Sequence, residues 1–138
     1  MCDTDSFVQN NSSVADKVKH FEENVIFNPD NKGKVLYMLF KADWCGACRN
    51  FKPVFFECRE ACKKENKKDM IMVVIDNDSS PALFEAYRVT SLPTTFVYKI
   101  DDNLLNNKHK KLEILESGKI VGADINRFSE LVRHHNNL

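Results

Sequence analysis

Two short runs in this chain leave little freedom for the rest of it. VLYMLF (35–40) and MIMVVI (70–75) each carry six consecutive residues without a charge. A strand with one wetted face alternates apolar and polar residues, so an unbroken apolar run of this length suits a strand covered on both faces. Between the runs, the pattern from Ala47 to about Asn66 is helical, with Pro53 inside it as a kink. Strand, helix, strand in that order predicts two parallel neighbours joined by a crossover. The expectation is an α/β domain with its sheet in the middle and helices on both faces.

The other segments fit around that unit. Residues 1–12 form a polar, Asn/Ser-rich tail that contains Cys2, and a single domain is expected from 13 to 138. Ser13-Val14-Ala15-Asp16 resembles a capping box with Asp in place of Glu. Val14, Val18, Phe21 and Val25 then recur at helical spacing, predicting a helix over about 14–26, before Asn28–Gly33 breaks the chain. Ser80-Pro81 supplies an N-cap and a proline at the first helical position for a short helix through Tyr87. Thr95–Ile100 and Lys111–Glu116 read as an antiparallel hairpin joined by the long polar loop DDNLLNNKHK. A last helix is expected over about 123–135, with Ile125, Phe128 and Leu131/Val132 as its apolar stripe.

Charge narrows the function. Lys+Arg and Asp+Glu are equal at 20 each, which leaves no global footprint for nucleic acid or an anionic membrane surface. No apolar stretch approaches the length of a membrane span. The N-terminal residues show no basic segment followed by an apolar one, so a cytosolic protein is expected, in which five cysteines are not expected to build a disulfide framework.

The chemistry gathers at KADWCGACRN (41–50). A C-x-x-C pair can bind a metal, close a structural disulfide or exchange thiols with a disulfide. Cys45 follows a buried strand and precedes a helix, so its sulfur is expected at a helix N-terminus. Free N–H groups and the helix dipole stabilise a thiolate there, making Cys45 the attacking sulfur. Cys48 lies one turn in, shielded, as the resolving thiol. Gly46 lets a substrate chain approach closely, and Ala47 continues the helix. Zinc would need a second ligand pair. Cys58 and Cys62 instead continue the helical stripe Phe51, Val54/Phe55, Cys58, Cys62, where cysteine serves as a small buried hydrophobe, with a metal site or a second redox pair as the other reading of the two.

These motifs resemble the thioredoxin family. Its W-C-G-P-C site is matched by Trp44-Cys45-Gly46-Ala47-Cys48, its helix-kinking proline by Pro53, and its cis-proline motif by Leu92-Pro93-Thr94. Gly118 fits the glycine that lines the family's substrate groove. The resemblance spans roughly 14–135. It implies the thioredoxin fold, a central mixed β-sheet with a C-terminal antiparallel hairpin and helices on both faces. It also implies that Leu92 offers its backbone N–H and C=O to a substrate strand and that Trp44 faces the substrate. The activity implied is reduction of protein disulfides through a mixed disulfide, by a monomer without bound cofactor or metal. Recharging would fall to an NADPH-dependent thioredoxin reductase.

Three departures accompany the match. Ala47 replaces the usual proline and so tunes the redox potential. The family's buried Asp and its Lys partner fall at Leu39 and Val74. Their joint loss strands no charge but removes the usual proton acceptor, leaving solvent, Cys45, Lys41 or Asp43 to handle the proton. The third is the long 101–110 connection. Two other readings stay open: a redox-silent interaction module on the same fold, and an oxidase- or isomerase-type disulfide exchanger.

Overall fold

The computed structural model describes residues 14–65 and 69–136. Its sheet has four strands: β1 (Val35–Lys41), β2 (Met70–Asp76), β3 (Thr94–Lys99) and β4 (Lys119–Val121), in the spatial order β2-β1-β3-β4. β1 and β2 run parallel, whereas β3 pairs antiparallel with both β1 and β4. The parallel pair is joined by α2 (Gly46–Lys64), the crossover expected from the two apolar runs. Pro53 sits within α2, and Asn66, the expected helix end, lies outside the described residues.

Each central strand is buried on both faces because its alternate residues serve two cores. Leu36, Met38 and Phe40 of β1 point to the same side as Ile71, Val73 and Ile75 of β2. There they meet Phe21, Val25 and Ile26, Leu83 and Tyr87 of the segment around α3 (Pro81–Ala86), and Leu104 and Leu115. Tyr37 and Leu39 face the other way with Met72 and Val74, against Phe51 and Phe55 of α2 and Phe128 and Leu131 of α6 (Ile125–Asn136). Burying a side chain of this size stabilises the fold by about 1.5–3 kcal/mol each, so the two runs anchor both layers.

The first helix is α only over α1 (Val14–Phe21), then widens into a π turn over Glu22–Ile26, closed by Phe27 N–H to the Glu22 carbonyl at 2.7 Å. The wider turn turns Phe21, Val25 and Ile26 together into the core. Ser13, where the capping box begins, lies outside the described residues, as does the tail before it. Ser80 does precede α3, but its hydroxyl makes no capping bond and is buried without a hydrogen-bond partner.

The hairpin is corrected in one limb. Thr94–Lys99 is a strand, but Lys111–Glu116 is not: Lys111–Leu115 is helix α5, and the partner strand is β4, further along. The supposed polar loop contains α4 (Asp102–Asn106), capped by Asp101, whose carboxylate accepts from the Leu104 N–H at 2.9 Å. KLEIL alternates over its first four residues and so mimics a strand, yet Leu112 and Leu115 at i, i+3 also make a helical face. Tertiary packing decides: Leu104 and Leu115 are fully buried beneath the first core. Lys111 is drawn in as well, its ammonium ion-paired with Glu22 and lying over the Tyr87 ring. The last helix begins two residues later than expected, and its first stripe residue, Ile125, is 41% exposed, whereas Phe128 and Leu131 are buried.

Candidate active site

Three chain segments converge at one end of the sheet. β1 ends at Lys41, and Ala42-Asp43-Trp44-Cys45 turns directly into α2. Cys45 is the N-cap, extended at φ −87°, with its N–H on the Ala42 carbonyl at 3.2 Å. Its Sγ accepts from the Cys48 backbone N–H at 3.2 Å, so the sulfur takes the place of a capping oxygen. This is the helix-terminal position expected from the sequence.

The two thiols sit in different surroundings. Cys45 is half-buried beside an exposed Trp44, whereas Cys48, inside the first turn, is only 3% exposed. Burial, the hydrogen bond with Cys45 and the Cys45 charge push the Cys48 thiol up to about 11, against the pull of the Ala42 backbone and the Lys41 ammonium. Gly46 and Ala47 are exposed between them, and a Cβ on Gly46 would meet nothing closer than the Arg49 guanidinium at 3.9 Å.

The second segment is the approach to β3. Thr94 pairs with Phe40, so Leu92 and Pro93 lie beyond it, alongside the turn that carries the cysteines. The Leu92–Pro93 bond is cis, as the motif implied. Pro93 is buried and Leu92 half-buried. The third segment follows β4. Val121 pairs with Thr94 and is 57% exposed, and Gly122, at φ +87°, donates its N–H to the Pro93 carbonyl at 2.7 Å.

Gly118 stands apart from this set. It is buried in the turn before β4, against Val97, three residues up β3 from Thr94, and a Cβ there would lie 1.7 Å from the Val97 carbonyl oxygen. The glycine beside Pro93 is Gly122, which the sequence reading missed. Its signal was a glycine between the last apolar triplet, KIV, and the Asp124 that caps α6.

Leu39 and Val74 are neighbours across the parallel pair, both buried in the core under α2. The next pair on that face is Lys41 and Asp76. The Lys41 ammonium donates to Asp76 and to Asp43, each at 2.7 Å, with its side chain only 12% exposed. Burial opposes its charge, but the bonds to Asp43 and Asp76 outweigh it and raise its pKa. Burial likewise opposes ionisation of Asp76, and the Lys41 ammonium with the Asp78 and Ser79 N–H groups overcomes it, lowering the carboxyl. Of the other cysteines, Cys58 is a half-buried free thiol whose pKa burial raises. Cys62, buried in the core, corrects the expectation of a packing thiol: its sulfur is engaged in a disulfide.

A parallel β1/β2 pair with its crossover helix headed by a C-x-x-C, facing a cis-proline, defines a thioredoxin-fold dithiol protein. A sequence model of the thioredoxin family matches residues 12–117, and the chain belongs to that family. Thioredoxin from Echinococcus granulosus is 31% identical over 121 residues, 88% of this chain and 96% of that one. Among solved structures, thioredoxin from Trypanosoma brucei brucei superposes with a TM-score of 0.63 at 17% identity, covering 95% of this chain and 88% of the other. That from Fasciola hepatica gives 0.61 at 20% identity, covering 96% and 99%. The chain is a thiol–disulfide oxidoreductase acting on protein disulfides.

Proposed function

We propose that Cys45 is the attacking thiol and Cys48 the resolving one, with Trp44, Gly46, Ala47, Leu92 and Pro93 forming the surface that receives the substrate strand. The asymmetry of the two sulfurs carries this assignment. Cys45 is reachable and held as a helix cap, whereas Cys48 is buried and its ionisation suppressed. A thiolate is the nucleophile in exchange, so the reachable, capped sulfur attacks first.

The Cys45 thiolate attacks one sulfur of a target disulfide. That bond breaks, and the other target sulfur leaves as a thiolate and takes a proton. Cys48 then gives up its proton to solvent and attacks Cys45 Sγ; the bond from Cys45 to the target breaks, the second target sulfur leaves as a thiolate and takes a proton from solvent, and a Cys45–Cys48 disulfide closes. Two electrons pass to the target. A flavin- and NADPH-dependent thioredoxin reductase is the reductant that the family membership suggests. The backbone of Leu92 supplies strand-like contacts indifferent to target sequence, and the protein acts as a monomer.

Trapping tests the order of attack. Cys48→Ser should accumulate mixed disulfides through Cys45 in a cell extract, and Cys45→Ser far fewer. Equal yields from both variants would mean the order is wrong. Insulin reduction with dithiothreitol separates this reading from a redox-silent module, and the midpoint potential against glutathione separates a reductase from an oxidase.

A further inference from the structure

Resolution needs Cys48 as a thiolate, and it is the group that this site makes hardest to ionise. The strand positions at which the family carries its buried acid and lysine are held here by Leu39 and Val74. One strand period nearer the site, on the same face of the sheet, Lys41 and Asp76 form a mostly buried ion pair at 2.7 Å, their side chains 12% and 18% exposed. The parallel register that joins Leu39 to Val74 also joins Lys41 to Asp76. This face is covered by α2, the helix that carries Cys48.

We propose that the Lys41 ammonium, seated by Asp76 and Asp43 at the end of β1, is the positive charge that stabilises the Cys48 thiolate during resolution of the mixed disulfide. Asp76 and Asp43 are positioning residues: they hold the ammonium in place and keep it charged. The inference rests on the assignment of Cys48 as the resolving thiol.

The arrangement supports this in three ways. Lys41 is held from two sides rather than left to sweep through solvent, because Asp43 lies on its own strand's exit and Asp76 on the neighbouring strand. Asp76 is itself fixed by the Asp78 N–H at 2.8 Å. The Cys48 sulfur accepts from the backbone of Ala42, the residue that follows Lys41, which brings it to the end of β1 where the ammonium favours its charged form. Among the described residues, the charged or titratable groups that act on Cys48 are Lys41 from β1 and Cys45 at the head of α2, and Lys41 is in turn paired with Asp43 and Asp76. When Cys45 enters the mixed disulfide it loses its charge, and Lys41 is then the remaining charge of this group to act directly on Cys48.

The size of the effect follows from two opposing terms. A unit charge acting through a half-screened protein edge enlarges the thiolate fraction by about ten- to a hundredfold. A stabilised thiolate is also a weaker nucleophile, with a Brønsted slope of about 0.4–0.5, so the net gain in resolution rate is about three- to tenfold.

Stopped-flow reaction with Ellman's reagent reads both halves. Cys45 attack releases the first thionitrobenzoate, at a rate proportional to reagent. Cys48 attack releases the second in an intramolecular phase independent of reagent concentration, which distinguishes it from the other thiols. Lys41→Met should slow the second phase about three- to tenfold at pH 7, and Lys41→Arg should keep most of the rate. The deficit should narrow as the pH rises and Cys48 ionises without help from a neighbouring charge. A second phase within about twofold of the parent protein, or a slowing equal at every pH as a merely structural role would give, overturns the proposal. Loss of the second phase's intramolecular character in the parent protein would overturn the Cys48 assignment instead. If Lys41→Met fails to fold, with Asp76 left unpaired, the double variant Lys41→Met/Asp76→Asn removes both charges and must show the same slowing.

Discussion

Leu39→Asp puts a carboxyl back beneath the dithiol and tests whether the two cores have room for it. Leu39 is 1% exposed, packed in the cluster of Tyr37, Phe51 and Phe55 and paired across the sheet with Val74. Removing that leucine side chain costs about 2–3 kcal/mol of burial. Val74 offers no cation, and the Lys41 ammonium two residues along the same face is held by Asp43 and Asp76. The new carboxyl therefore resists ionisation when folded. If burial holds its pKa roughly three units above the free value of about 3.9, ionisation of the unfolded chain adds about 4 kcal/mol at pH 7. The sum, about 6–7 kcal/mol, approaches the whole stability of an ordinary domain, about 5–15 kcal/mol.

The sign with pH follows. An acid whose folded pKa is raised binds its proton in the folded chain while the unfolded chain releases it. Stability of the variant thus falls as pH rises from about 4 to 7, by up to 1.4 kcal/mol per unit. Urea melts of Leu39→Asp and of Leu39→Asn, which cannot ionise, measure this directly. The Asn penalty should be flat with pH, and the Asp penalty should grow. At pH 7 the Asp midpoint should sit about 3 M below the parent at a slope of about 2 kcal/mol per molar. A penalty for Asp that is flat from pH 4 to 7 would refute the reasoning, because it would mean that Lys41 turns to residue 39 and is not committed to Asp76.

Brief iodoacetamide labelling of the folded protein, mapped by mass, should modify Cys45 ahead of Cys48 and Cys58, since Cys48 is buried and burial suppresses ionisation of Cys58; preferential labelling of Cys58 would overturn its reading as a packing residue. Gly118→Ala should destabilise the fold by about 3 kcal/mol or more, because its Cβ would lie 1.7 Å from the Val97 carbonyl. A melting temperature equal to the parent's would show that β4 shifts freely away from β3.

Where the sequence was legible, the signal was local. VLYMLF and MIMVVI need no partner to announce that both faces are buried, and C-x-x-C after one of them states its own position at a helix head. What failed was set by register and packing. Lys111–Leu115 carries both a period of two and an i, i+3 pair, and only the core under Leu104 and Leu115 chooses between them. Gly118 and Gly122 are four residues apart, and the pairing of Val121 with Thr94 decides which one reaches Pro93. Ile125 fits the helical stripe, yet α6 starts at that residue and its first turn remains exposed. Lys41 and Asp76 are 35 residues apart, and a parallel register makes them partners.

That same register gives the dithiol an order of events. In the reduced protein, Cys48 is restrained first by burial and then by Cys45, which accepts its backbone N–H and opposes a second negative charge. Two thiolates one helical turn apart would repel, so a charge on Cys45 opposes one on Cys48. In the proposed order, attack on a target converts the Cys45 thiolate into a neutral disulfide sulfur. The repulsion disappears at that moment, while Lys41, held by two carboxylates that take no part in the exchange, keeps its charge. Cys48 therefore becomes easier to ionise only after a mixed disulfide exists for it to attack. A lysine fixed on the sheet suits this timing better than an acid would, since its charge need not change during the cycle. The burial of Leu39 and Val74 is then compatible with turnover, because the proposed mechanism places the electrostatic work on Lys41 and Asp76, the next pair along the strands.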